Sequence, residues 1–341
     1  MTTLIDMRPA GSAPEPDDAP RPIRRSLSLA DRVFRGSTTG IGAVVLVVIA
    51  AVGVFLGLQL VPTLHNYGLH FFTEHQWNPQ LNILGISAVL IGTVEVAIIA
   101  ILFSFPLALL TALYISEYAP SWLRASLVAM VDLMAAIPSI IYGVWGYFLI
   151  NPHALYLSRW INEYLGWIPL FHVQGGDPRA AIFTPSAYGQ SPFIAGMVVS
   201  MMVIPLACAV MLGVFQQAPI SEREGAYALG STRSGMIRTV VLPFGRGGIV
   251  GGTMLALGRA LGETVAVLLI LSPVFDIKLR PLENGGITTA SLIANYSGDA
   301  TSGQLSALLA AGFVLFAMTI VVNTLAAMIV TRSRSGAQTE I

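Results

Sequence analysis

Gln216-Gln217-Ala218-Pro219-Ile220-Ser221-Glu222-Arg223-Glu224-Gly225-Ala226-Tyr227-Ala228-Leu229-Gly230, followed by a polar turn and then Met236 to Pro243, is the stretch that decides the fold. Ser221 with Glu224 three residues on has the form of a capping box, which predicts a short helix starting there. Gly230 predicts its stop, because a residue without Cβ enters the left-handed region freely. Ser231 or Thr232 can cap a second short helix through about Val240, and Pro243 is expected to end it. Gly225 and Ala226 leave the surface of the first helix flat, so another backbone could approach it closely. Two readings follow: an amphipathic hairpin that only connects its neighbours at a membrane surface, or a docking knob.

Outward from this 216–246 segment the chain turns apolar. On one side lies the uncharged run 192–215, and on the other the run at about 247–271. A helix crossing about 30 Å of hydrocarbon needs about 20 such residues. Four more runs qualify, at about 41–61, 84–113, 125–150 and 305–330. The fold expected is therefore an all-α integral membrane protein with six spans. Composition agrees: only 11% of the 341 residues are charged, against about 25% in soluble domains, and mean hydropathy is +0.73. A soluble globule, a disordered chain and a collagen are excluded, and the continuous rather than alternating runs argue against a β-barrel.

Arginine and lysine positions predict the orientation. Thirteen fall in alternate segments that include both termini and 216–246, against four in the loops 62–83, 151–191 and 272–304. Both termini and 216–246 are thus expected in the cytoplasm. Residues 1–39, broken by five prolines, read as a mobile tail, and 333–341 as a short cytoplasmic one; 40–332 form the membrane domain. Zero net charge offers no face for nucleic acid. Cys208 is the single cysteine, and His65, His70 and His75 recur at a spacing that does not share one helix face, so no metal site is expected. Lys278 is the only lysine and no Gly-x4-Gly-Lys-Ser/Thr occurs, so any ATP must be used by another chain. Neither His-Glu-x2-His nor Gly-x-Ser-x-Gly is present, which argues against a membrane hydrolase. Trp160, Trp167 and the Ile168–Phe171 stretch suit an interfacial anchor or a contact with a receptor.

Four charges fall within the spans. Arg259 lies about 12 residues into the fifth span, near the midplane, and Glu263 follows at i+4. A central arginine costs at least about 2.5–3.5 kcal/mol unless it is paired or wetted. Two readings are open: a structural Arg259–Glu263 ion pair, or a polar contact in a path, where the guanidinium fork suits an oxyanion. Glu95 in the second span and Asp132 in the third could line such a path or pair with an arginine. Pro106, Pro138 and Pro205 can kink their helices. The glycine pairs 247/251, 248/252 and 258/262 allow close packing of the fifth span.

The spacing Glu224-Gly225-Ala226-x3-Gly230-x9-Val240-x-Leu242-Pro243 resembles the Glu-Ala-Ala-x3-Gly-x9-Ile-x-Leu-Pro signature of membrane subunits of ATP-binding-cassette importers, with Gly225 and Val240 as mild departures. Leu257-Gly258-Arg259-Ala260-Leu261-Gly262-Glu263-Thr264 is similar to the fifth span of the phosphate-importer permeases. So are Trp77-Asn78-Pro79 with Gly92-Thr93, Ser116-Glu117-Tyr118-Ala119-Pro120, and Ala135 through Gly146. Together these cover most of residues 70–272. The resemblance implies a type I importer permease fold in which 216–246 is a coupling loop seated on an ATPase. It implies a permease of a cell membrane that moves inorganic phosphate by alternating access. Its companions would be a second permease subunit, two ATPase subunits and an extracytoplasmic phosphate-binding protein; the chain itself would carry no cofactor. The competing readings are a permease for sulfate, molybdate or phosphonate, and an ion-coupled secondary transporter using Glu95, Asp132 and Glu263.

Overall fold

The computed structural model describes residues 28–180 and 184–333. Among them, five helices are long and apolar enough to cross a membrane, and a bent helix pair makes a sixth candidate. In chain order the helices are α1 (Leu29–Tyr67), α2 (His70–Thr73), α3 (Ser87–Leu113), α4 (Ser121–Ala136), α5 (Ser139–Trp145), α6 (Asn151–Leu165), α7 (Pro192–Phe215), α8 (Ile220–Ala228), α9 (Arg233–Met236), α10 (Leu242–Leu261), α11 (Val265–Ile270), α12 (Thr289–Tyr296) and α13 (Ser302–Ser333). Contacts divide the chain between Val52 and Gly53. Of the first part, residues 29–52 are helical and exposed throughout. The helix therefore starts ten residues before the expected tail boundary at 39. Residues 1–27 and 334–341, where the two tails were expected, lie outside the described residues.

The second part is built around α7. Ser191 caps it by accepting from the Ile194 N–H at 3.5 Å, and Pro192 occupies the first turn, where no N–H is needed. Its sequence is apolar on every side, which suits a helix surrounded by others: 16 of its 24 residues are buried. α3, α4 and α10 pack around it. α10 approaches through glycine: a Cβ on Gly245 would meet the Phe215 ring, one on Gly248 the Val214 side chain, and one on Gly252 the Ala207 carbonyl at 3.0 Å. Gly251 faces open space, so the 248/252 pair serves this packing and Gly251 of the 247/251 pair does not.

A second apolar cluster joins Phe71, Trp77, Leu84 and Ile86 to Leu292 and Leu308. It includes a two-stranded antiparallel pair, β1 (Trp77–Asn78) and β2 (Ile83–Leu84), with Trp77 opposite Leu84. Before β1, Glu74 accepts from the Gln76 and His75 N–H groups, which hold its carboxyl below the usual range. Buried hydroxyls tie helices that sequence separation hides. Thr93 on α3 lies 3.0 Å from Thr289 on α12, and Thr63 on α1 lies 3.1 Å from Ser306 on α13.

Two spans differ from the expectation of single rods. The third is broken at Ile137-Pro138: α4 and the continuous stretch Ser139–Leu165 meet at 89°. Pro138 forbids helical φ/ψ at its predecessor, and Ile137 sits extended at φ −66°, ψ 128°. The Tyr142 hydroxyl stitches the break by donating to the Met134 carbonyl at 2.9 Å. The first 15 residues of the expected loop 151–191 are helix α6, on which the Trp160 and Tyr164 rings meet tilted with centroids 5.2 Å apart. The fifth run splits at Gly262–Thr264 into α10 and α11.

Candidate functional site: a docking knob and the charges beyond it

α8 begins at Ile220 with Pro219 before it and no side-chain cap. The expected Ser221 box is not formed, because the cap position falls two residues earlier, at Pro219, and places Ser221 inside the first turn. Its end follows the sequence reading. Gly230 takes φ +80°, Ser231 N–H donates to the Ala226 carbonyl at 3.0 Å and Gly230 N–H to Tyr227 at 2.9 Å, the two bonds of a Schellman stop. Thr232 then caps α9, accepting from Gly235 N–H at 3.2 Å. Pro243 does not end this second helix. The backbone runs on from Arg233 to Leu261 through a π-turn, Ile237–Val241. The widened turn just before Pro243 makes room for a ring that lacks an N–H.

The signature residues divide by environment. Glu224, Gly225, Gly230 and Pro243 are exposed. Ala226, Val240 and Leu242 pack against the buried core. Beside open Gly225, at i+4, stands Leu229, 90% exposed, and Ile220 at the start of α8 is 72% exposed. This apolar, flat face on a polar knob is the kind of surface that another protein covers.

What fastens the knob was not among the sequence candidates. Arg223 of α8 donates from Nη1 to Glu117, 3.0 Å from Oε1 and 3.1 Å from Oε2, and from Nη2 to the Phe215 carbonyl at 2.6 Å. Glu117 is buried, its side chain 4% exposed, and it accepts also from the Ser116 hydroxyl at 2.7 Å. It lies in a π-turn, Tyr114–Tyr118, that ends the α3 span. Two further arginines close on that turn: Arg124 donates to the Ser116 carbonyl at 3.0 Å, and Arg233 sits 5.2 Å over the Tyr118 ring. The available signal was an acid ending a long apolar run and an arginine inside the signature; a separation of 106 residues gave no means of pairing them.

The four span charges do not form one cluster. The antiparallel seam of α10 and α7 pairs Gly245 with Phe215 and Gly252 with Ala207. Continued for two turns, it sets Arg259 opposite about residue 200 on α7, in the half of that helix remote from the knob. Arg259 is exposed and makes no hydrogen bond or ion pair with any described residue. The expected Arg259–Glu263 pair is absent because the helix stops at Leu261, so i+4 no longer shares a face. Glu263, 9% exposed, instead accepts from the Ala266 N–H at 3.1 Å and opens α11. Asp132 is exposed on α4, within electrostatic reach of Cys208. Glu95 lies only eight residues into α3, under residues 276–280 with which it shares a cavity. Its Oε1 is buried without a partner among the described residues. No cluster of three or more metal-ligating side chains occurs among the described residues.

Residues 104–335 match the family model described as the binding-protein-dependent transport system inner membrane component. The chain belongs to this family. Its curated relatives include the phosphate transport system permease protein PstC 2 of Mycobacterium tuberculosis, 37% identical over 90% of this chain and 92% of that protein. The PstC protein of Xylella fastidiosa is also 37% identical, over 89% and 91%. Among solved structures, a bacterial ABC transporter involved in the import of the acidic polysaccharide alginate aligns with TM-score 0.57 at 18% identity, over 88% of this chain and 96% of that one, a likeness of fold. The chain is thus a multi-pass membrane permease of the type I importer fold.

Proposed function

We propose that this permease imports inorganic phosphate as one membrane subunit of an ATP-driven complex. The observation that carries the reading is Arg259: an exposed guanidinium on a membrane-spanning helix with no acid among the described residues to satisfy it. Uncompensated, it would cost several kcal/mol in lipid, so its surroundings in the working assembly are polar. A planar fork there suits an oxyanion that binds and leaves, and the PstC relatives supply that anion's identity. With Glu263 committed to α11, Arg259 keeps its full charge for the anion; Asp132 and Glu95 stand nearer the two ends of a path.

The arginine bias places the coupling loop and both termini in the cytoplasm. The exposed apolar face around Gly225 then meets a separate ATPase subunit, and the loops at the opposite end meet an extracytoplasmic phosphate-binding protein. A similar second permease covers the exposed Arg259 face, and two ATPase subunits drive the pair. Nucleotide binding moves the coupling loop and opens the path outward, and hydrolysis resets it; the two states differ in the contacts they offer the anion.

The test is reconstitution of the complete complex in liposomes with radiolabelled phosphate. Uptake that needs ATP and the receptor, and that excess sulfate or molybdate leaves intact, is the expected result. Uptake by this chain alone, driven by a proton gradient, would overturn it.

A further inference from the structure

We infer that Arg223 is the strut through which the coupling loop drives the membrane spans, and that Glu117 and the Phe215 carbonyl are the two points where its stroke enters them. The inference rests on the proposed ATP-driven reading and adds the intramolecular link.

Arg223 lies on α8 one residue before Glu224, whose side chain is exposed on the docking face. Its guanidinium reaches inward to two different spans. Nη1 lies within 3.1 Å of both Glu117 oxygens at the end of α3, and Nη2 lies 2.6 Å from the Phe215 carbonyl at the end of α7. One planar, rigid group therefore fixes α8 to both helices at once, which a flexible lysine could not do with the same geometry. The pair is largely withdrawn from water, its side chains 20% and 4% exposed, so it is neither screened nor easily exchanged for solvent. Glu117 is itself held by Ser116 and sits in a π-turn, a wound-out helical turn that is frequent at functional sites. Arg124 and Arg233 brace the same turn from α4 and α9. A displacement of α8 thus cannot be absorbed in the connection to α7; it must pull α3 and α7 with it.

The test is the number of phosphates imported per ATP hydrolysed by the complete complex in liposomes. For Arg223→Gln that ratio should fall at least tenfold while the ATPase subunits still co-purify. Arg223→Lys keeps the charge but loses the fork, and should fall severalfold; it decides the matter if the glutamine variant does not assemble. The exchange Arg223→Glu with Glu117→Arg should recover part of the ratio, because the charge pair returns while the bond to Phe215 does not. A ratio within twofold of the parent for both single variants would overturn the strut. A parent complex showing no ATP-dependent uptake would instead overturn the transport reading.

Discussion

Arg223 and Arg259 meet opposite surroundings in one chain. Arg223 has a buried carboxylate on one side and a backbone carbonyl on the other. Arg259, in the last turn of α10, has neither an acid nor a carbonyl among the described residues. A charge bonded to two spans holds the protein together, whereas a charge left open is, on the proposed reading, kept for something that comes and goes. On that reading, the contrast separates the parts of the molecule that carry force from the part that meets cargo.

The sharpest way to break the comparison is to remove the acid behind the satisfied arginine. Glu117→Ala leaves the half-buried Arg223 uncompensated, which should cost up to about 3 kcal/mol; thermal unfolding of the detergent-solubilised complex would show a clear drop, and an unchanged midpoint would mean that the pair contributes nothing. Next is the open arginine. Arg259→Gln should lower phosphate uptake on the order of 100-fold, from about 3 kcal/mol for two lost charge-assisted bonds, with the complex still assembling. Undiminished uptake would take Arg259 out of the path. Gly248→Val, aimed at Val214, should destabilise by about 1–3 kcal/mol, whereas Gly251→Ala, facing open space, should be neutral or stabilising by under about 1 kcal/mol. Equal effects in that melting comparison would contradict the seam. The smallest effect belongs to Glu263→Gln, whose amide oxygen can still accept from Ala266. Stability should change by under about 1 kcal/mol and uptake by less than about threefold; a tenfold loss would show that the carboxylate charge itself serves transport.

Much of this architecture was legible in the residues. The run 192–215 gives α7 to the residue, because a serine cap and a first-turn proline precede an uninterrupted apolar stretch. Gly230 announced its left-handed turn, and the signature spacing announced the knob. What sequence could not resolve had physical reasons. Pro138 reads as a kink, but whether a proline bends a helix slightly or by 89° depends on what waits to pack beyond it. Pro243 reads as a terminator, yet a π-turn absorbed it. The Arg259–Glu263 pairing presumed a helix that Gly262 does not continue. Glu117 and Arg223 were plain to see as residues and invisible as a pair, since only the tertiary fold brings α8 under the end of α3.

The glycine seam between α7 and α10 has a mechanical consequence. Phe215 and Val214 seat in notches that only missing side chains could leave, so the two helices are keyed like a shaft and its spline. Neither can slip along the other without lifting out of register. Any deformation that switches the molecule is thereby displaced to the places where the rods are already discontinuous, at Ile137-Pro138 and at Gly262–Thr264. Those breaks flank the open guanidinium, so flexure concentrates where cargo would sit.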